Sequence, residues 1–233
     1  MRQINCLCQK FRHPIASICL LALLTLVLTA CGALVTTPSP SIKATASTAI
    51  AHSYPTPVGT KTLYNQPLTQ QTAGWATGST CAFSSRGLAV QPGGGQAYIC
   101  LAPITPPADL SITVAVQQMS GSPQQAYGIV FHHVAAHNYD FFGIDARGHF
   151  TLTVVANNIK HIILPFTANT AIHQGINVSN QLQVITKGQQ VTMLINGTPV
   201  GQATLSAFAS GTVGLRGIND GNVLFRQLMI TPV

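Results

Sequence analysis

Asp109-Leu110-Ser111-Ile112-Thr113-Val114-Ala115-Val116-Gln117-Gln118 alternates apolar side chains with small or polar ones. Successive side chains on a strand leave opposite faces, so Leu110, Ile112, Val114 and Val116 share one face and Ser111, Thr113, Ala115 and Gln117 the other. Such a strand buries one side and leaves the other wet, as antiparallel sheets do. His149 to Asn157 repeats the pattern, with Phe150, Leu152, Val154 and Ala156 inward.

Turn chemistry around these segments predicts their connections. Asp145-Ala146-Arg147-Gly148 joins two strands, Lys187-Gly188 joins another pair, and Asn196-Gly197 is the strongest hairpin signal in the chain. No segment sustains apolar spacing at three and four residues, so helix is at most a short turn near 205–210, and the His173 region is loop. About a dozen strands exceed what one open sheet usually carries, so they divide into two stacked sheets over a core roughly 10 Å thick. The expected fold is all-β, a two-sheet antiparallel β-sandwich. Composition agrees: of 233 residues 46% are hydrophobic and 6% charged, with Gly 20 and Pro 14, which excludes a disordered chain, a coiled coil or a helical bundle.

Residues 1–30 have a different character. Arg2, Lys10 and Arg12 precede an uncharged apolar run from Ile15 to Ala30, a basic region and a hydrophobic core too short to span a bilayer comfortably. This is the layout of a secretion signal. The run ends in Leu28-Thr29-Ala30-Cys31-Gly32, which resembles the lipobox of bacterial lipoprotein signal peptides. The resemblance implies cleavage before Cys31, a diacylglyceryl group on its thiol, and a mature chain lipid-anchored to a membrane of the bacterial cell envelope, on its extracytoplasmic side. An ordinary signal peptide with a chance cysteine, or an uncleaved anchor helix, are the alternatives. Acyl chains supply about 0.8 kcal/mol per buried CH₂, and durable anchoring takes two. Residues 31–57, rich in Thr, Ser, Pro and Ala, cannot bury enough apolar area to order themselves and form a spacer, leaving 58–233 as the globular domain.

Cys6, Cys8 and Cys19 fall in the leader and Cys31 takes lipid, so Cys81 and Cys100 remain and are expected to form one disulfide in an oxidising compartment, with two reduced buried thiols as the alternative. The leader also carries three of the eleven Lys and Arg, leaving eight against four Asp, a formal charge of +4. Those eight cations are scattered with no interleaved aromatic ladder, so no nucleic-acid groove is indicated.

Several segments carry a further resemblance. Tyr127-Gly128-Ile129-Val130-Phe131, Asn138-Tyr139, Phe142-Gly143-Ile144-Asp145 and Gly148-His149-Phe150-Thr151-Leu152 resemble the central hairpins of concanavalin A-like jelly rolls. Asn180-Gln181-Leu182-Gln183-Val184, Leu194-Ile195-Asn196-Gly197, Gly211-Thr212-Val213-Gly214-Leu215 and Val223-Leu224-Phe225 resemble the closing strands of laminin-G-like and 3-keto-disaccharide hydrolase-like domains. The resemblance spans roughly Trp75 to Thr231. It implies a jelly roll of a kind often attached to carbohydrate binding, with a sheet face able to cradle a sugar chain. Catalytic laminarinase-like members carry two glutamates and an aspartate along one strand, whereas this chain has no glutamate. Asp140 and Asp145, an odd interval apart, point to opposite faces of a regular strand, and Asp109 and Asp220 sit in turns.

Sugar recognition needs aromatic faces and planar polar groups. Trp75, Tyr98, Tyr127 and Tyr139 are candidates for the first, and His133, Arg147, His149, Asn157, Gln181 and Gln183 for the second. Tyr139, His149 and Arg147 form the preferred set, since the Asp145–Gly148 turn brings their strands together, with His133 and Trp75 as further ligand contacts. Each has an ordinary alternative, core for Trp75 or Tyr127 and a solvated surface for His149 or Gln183. Adjacent His132 and His133 diverge on a strand, so no metal site or cofactor is expected, and calcium would need converging carboxylates that four dispersed aspartates do not supply. No Gly-x-Ser-x-Gly elbow occurs. The expected function is non-catalytic glycan binding at the cell surface, with a saccharide hydrolase or a structural or sensory protein-interaction domain as alternatives.

Overall fold

The computed structural model describes residues 61–76 and 78–233, so the leader, Cys31 and the 31–57 spacer lie outside it. Among the described residues fourteen strands follow one another: β1 Tyr64–Gln66, β2 Cys81–Ser84, β3 Gly87–Val90, β4 Ile99–Leu101, β5 Leu110–Gln118, β6 Tyr127–Ala135 and β7 Asn138–Ile144. The second half supplies β8 His149–Ala156, β9 Ile159–Ala168, β10 Ser179–Lys187, β11 Gln190–Ile195, β12 Thr198–Thr204, β13 Thr212–Arg216 and β14 Val223–Pro232. No helix occurs among the described residues.

Two sheets result. One has eight strands in the order β12-β11-β10-β5-β14-β3-β2 with β1 added on β14; the other has six, β4-β13-β6-β7-β8-β9. Their ladders are antiparallel. The alternation over 109–118 becomes the centre of the larger sheet: Ile112, Val114 and Val116 of β5 are buried against Leu182 and Val184 of β10 and Phe225 and Ile230 of β14. Facing them across the sandwich are Tyr127, Ile129 and Phe131 of β6, Phe142 and Ile144 of β7, and Phe150, Leu152 and Val154 of β8. Ala156 packs at the margin of the same core.

The predicted hairpins form at Asp145–Gly148, Lys187–Gly188 and Asn196–Gly197, the last with φ of 50° and 79° as a two-residue hairpin turn requires. A further hairpin joins β8 to β9 through Asn157 and Asn158, both left-handed at φ 51° and 64°. Asparagine tolerates that conformation because its short polar side chain bonds locally. Cys81 and Cys100 are disulfide-bonded. Since β2 ends the larger sheet and β4 ends the smaller, the bond staples the two layers together at one edge.

Candidate functional site

In an ordinary sandwich strand one face packs and the other is wet, yet β6, β7 and β8 are buried on both faces over most of their length. Phe141 shows why. Its neighbours Asp140 and Phe142 point inward, so its ring lies on the outer face of the six-stranded sheet, where it is only 3% exposed. The ring crosses Gly143, where an added methyl would strike it and the Tyr127 carbonyl. Arg216, leaving β13 on the same face, sets its guanidinium carbon 4.7 Å from the Phe141 ring centre, a cation–π contact, and donates from Nη1 to the Ala126 carbonyl at 3.2 Å. Burial lowers the Arg216 pKa from the ordinary arginine value, and nearby Tyr139 acts in the opposite sense.

Around this pair lies a cleft of about 200 Å³. Phe141 and Thr151 form its floor, Lys160 and Phe166 of edge strand β9 stand on one side, and Gln124, Gln125 and Asn219 of the end loops on the other. Phe166 is 47% exposed and Lys160 is exposed, so the cleft offers an aromatic face and a cation at its rim. Thr151 Oγ1 is occupied, donating to the Leu164 carbonyl at 2.8 Å.

The sequence-derived candidates do not converge. Tyr139 and His133 do meet: their rings stack at 6.0 Å, and Tyr139 lies two residues from Phe141 on the same face. Burial holds the His133 pKa below its ordinary value. Arg147 and His149, however, are at the other end of the hairpin. Antiparallel pairing sets Tyr139 opposite Val155 and Ile144 opposite Phe150, so the turn brings Ile144, not Tyr139, to His149. There Asp145 organises the turn, accepting from the backbone N–H of Arg147 at 3.0 Å and of His149 at 2.9 Å and pairing with the His149 ring at 3.1 Å. Trp75 is 4% exposed, donates to the Tyr64 hydroxyl at 2.8 Å and packs edge-on against Phe83, so its faces belong to the core. Tyr127 is likewise core, and burial raises its pKa. Asn157 occupies the β8–β9 turn, and Gln183 donates to Ser111 Oγ on the other sheet.

The carboxylates are all committed to structure. Asp109 accepts from Gly188 N at 2.7 Å and Asp220 from Ser122 N at 3.1 Å. Strand parity does not separate Asp140 from Asp145 as expected, because Asp145 lies beyond the end of β7 in the turn; both are buried. Asp140 Oδ2 meets His132 Nδ1 at 2.8 Å, and burial raises the Asp140 pKa against the pull of that histidine. His132 reaches it by adopting φ 50° in a bulge of β6. Its Nε2 is buried with no hydrogen-bond partner among the described residues. No three metal-ligating side chains gather among the described residues.

Phe141, Lys160, Phe166 and Arg216 are not singled out by sequence pattern. A signal exists at Phe141-Phe142, because adjacent aromatics on a strand must face opposite ways and one of them leaves the core. Arg216 has the same logic after inward Val213 and Leu215.

No protein-family model matches the chain, and no curated protein matches it in sequence. Solved structures do match in shape. The carbohydrate binding module CBM66 from Bacillus subtilis superposes with a TM-score of 0.59 at 17% identity, covering 68% of this chain and 95% of that one. A Bacillus subtilis protein of unknown function with a galectin-like fold gives 0.58 at 14%, covering 73% and 96%. Bacillus licheniformis β-glucanase gives 0.54 at 10%, covering 73% and 97%. The fold is the jelly-roll β-sandwich. At these identities the likeness establishes the fold alone.

Proposed function

We propose that this protein is a bacterial envelope lipoprotein whose exported sandwich binds carbohydrate without cleaving it, at the cleft over Phe141. The observation that carries this is the cleft's make-up: an exposed Phe166 ring and a buried Phe141 ring flanked by Arg216, Lys160, Gln125 and Asn219. Aromatic faces take the apolar side of a pyranose and planar polar groups take its hydroxyls. Support also comes from a fold shared with a carbohydrate binding module. Binding is favoured over hydrolysis because no carboxylate lines the cleft and each aspartate already holds a backbone N–H or a histidine.

A glycan array probed with the purified full chain tests the reading. Binding is expected, and Phe166→Ala, which removes an exposed ring without disturbing the core, should weaken it about tenfold, in line with an aromatic contact of roughly 1–2 kcal/mol. An array with no bound glycan, or undiminished binding by Phe166→Ala, contradicts it. Anchoring through Cys31 is a separate part of the proposal. Cys31→Ser should release the protein from membranes or leave it unprocessed, whereas an unchanged lipid-labelled band would count against a lipid anchor.

A further inference from the structure

We infer that the saccharide taken by this cleft is acidic, with its anionic group seated between Arg216 and Lys160. The inference rests on the glycan-binding reading and deepens it. Its ground is the polarity of the lining, which is weighted toward hydrogen-bond donors.

Gln125 and Asn219 are amides that could present either a carbonyl or an NH₂, but the backbone has decided the matter. Gln125 Oε1 accepts from Asn219 N at 2.8 Å and Asn219 Oδ1 accepts from Ala97 N at 2.8 Å. A backbone N–H can only donate, so each carbonyl oxygen already holds one bond and is turned to the backbone, whereas the NH₂ groups hold none among the described residues. Arg216 and Lys160 add two cationic donors, and neither has a carboxylate partner among the described residues. Among the described residues Arg216 is satisfied by one carbonyl and one ring face. Asp220, next in the chain to Asn219, is the nearest acid in sequence and is engaged by the Ser122 N–H. Gln124 is the lining amide whose carbonyl holds no bond among the described residues, and Thr151 offers a hydroxyl oxygen.

A neutral sugar hydroxyl both donates and accepts, so a donor-rich wall leaves its hydrogen unmatched, and an unmatched polar group costs about 1–3 kcal/mol when desolvated. A carboxylate or sulfate only accepts. Hydrogen bonds to a charged group are about twice as strong as neutral ones, and a half-buried guanidinium with free N–H groups suits them. Phe141 and Phe166 would meanwhile hold the apolar face of the ring that carries the charge.

The test measures affinity of the full chain for two matched pairs, oligogalacturonate against its methyl ester and dextran sulfate against dextran. At least one acidic member should bind about tenfold tighter than its neutral counterpart, with affinity falling as salt rises, and the winning pair distinguishes carboxylate from sulfate. Arg216→Gln and Lys160→Gln should each reduce that preference by about threefold to tenfold. Lys160 is exposed, so its variant remains informative if Arg216→Gln fails to fold. Equal affinity for acidic and neutral members, or an unchanged preference in Lys160→Gln, overturns the inference. If neutral glycans on the array bind and Phe166→Ala abolishes this while charge gives no advantage, the acidic preference falls and glycan binding stands. If no glycan binds at all, both fall.

Discussion

The outer faces of the two sheets differ most plainly at their arginines. On the eight-stranded sheet Arg226 donates to Gln117 Oε1 at 2.6 Å and Gln183 donates to Ser111 Oγ at 2.9 Å. On the six-stranded sheet Arg216 lies over an aromatic ring with one backbone carbonyl and, among the described residues, no acid, in a cleft it shares with Lys160 and two amides whose oxygens each hold a backbone N–H. The first face pairs its arginine and its glutamines with its own side chains. The second has donors to spare. A polar surface whose groups pair among themselves has little to offer a ligand, whereas one whose donors outnumber its acceptors is incomplete until a ligand arrives.

The largest effect that could break this comparison is on stability. Phe141→Ala should cost about 3 kcal/mol, the scale of an aromatic removed from a packed site, whereas Thr113→Ala on the opposite outer face should stay within about 0.5 kcal/mol. Denaturant unfolding checks both, and similar values would mean that the face around Phe141 is an ordinary solvated one. Reducing the Cys81–Cys100 bond, or replacing both residues with alanine, should cost about 3 kcal/mol by freeing the unfolded chain, with thermal unfolding as the readout. That loss should leave the outer faces' difference in binding intact.

Gly143→Ala should cost about 1–2 kcal/mol and lower glycan affinity, because the added methyl pushes the Phe141 ring off the strand and with it the support for Arg216. Calorimetric titration with an array-positive glycan checks this. Arg226→Gln sharpens the contrast most cleanly, since it removes the same charge as Arg216→Gln from the other face and should leave glycan affinity unchanged.

The smallest effect is in pH dependence. Burial holds the folded His133 pKa below 6.5, so the unfolded chain binds the proton more readily. Stability from this residue is therefore full above pH 6.5 and is lost as pH falls through the lower folded value. Asp140 has the opposite sign, its raised pKa giving a contribution that is present at pH 3.8 and lost as pH rises through the folded value. His133→Gln should remove only the first slope, and weakly, because the ring is partly solvated. An unaltered stability profile in this variant would show that stacking on Tyr139 does not desolvate the histidine.

What could be read in the sequence was local. Alternation over 109–118 and 149–157 specifies strands and their inward residues, and Asn196-Gly197 specifies a hairpin, because both depend on neighbours in the chain. The turn at Asn157-Asn158 escapes such a reading because two asparagines rather than Asn-Gly take the left-handed positions. The cleft was much less legible. Phe141 and Arg216 are 75 positions apart and meet only after β13 pairs with β6 and β6 with β7. Isolated cations that form no run in sequence can thus share one site. Tyr139 with His149 failed as a set for a geometric reason: a hairpin joins the near ends of its strands and separates the far ones.

The face that a glycan touches distinguishes the two sheets most directly. Amide chemical shifts recorded while the glycan ranked first on the array is added should move at Thr151, Lys160, Phe166, Arg216 and Asn219 and stay still on β5, β10 and β14. Shifts gathered instead around Gln117, Gln183 and Arg226 would place the ligand on the wrong sheet and contradict the account.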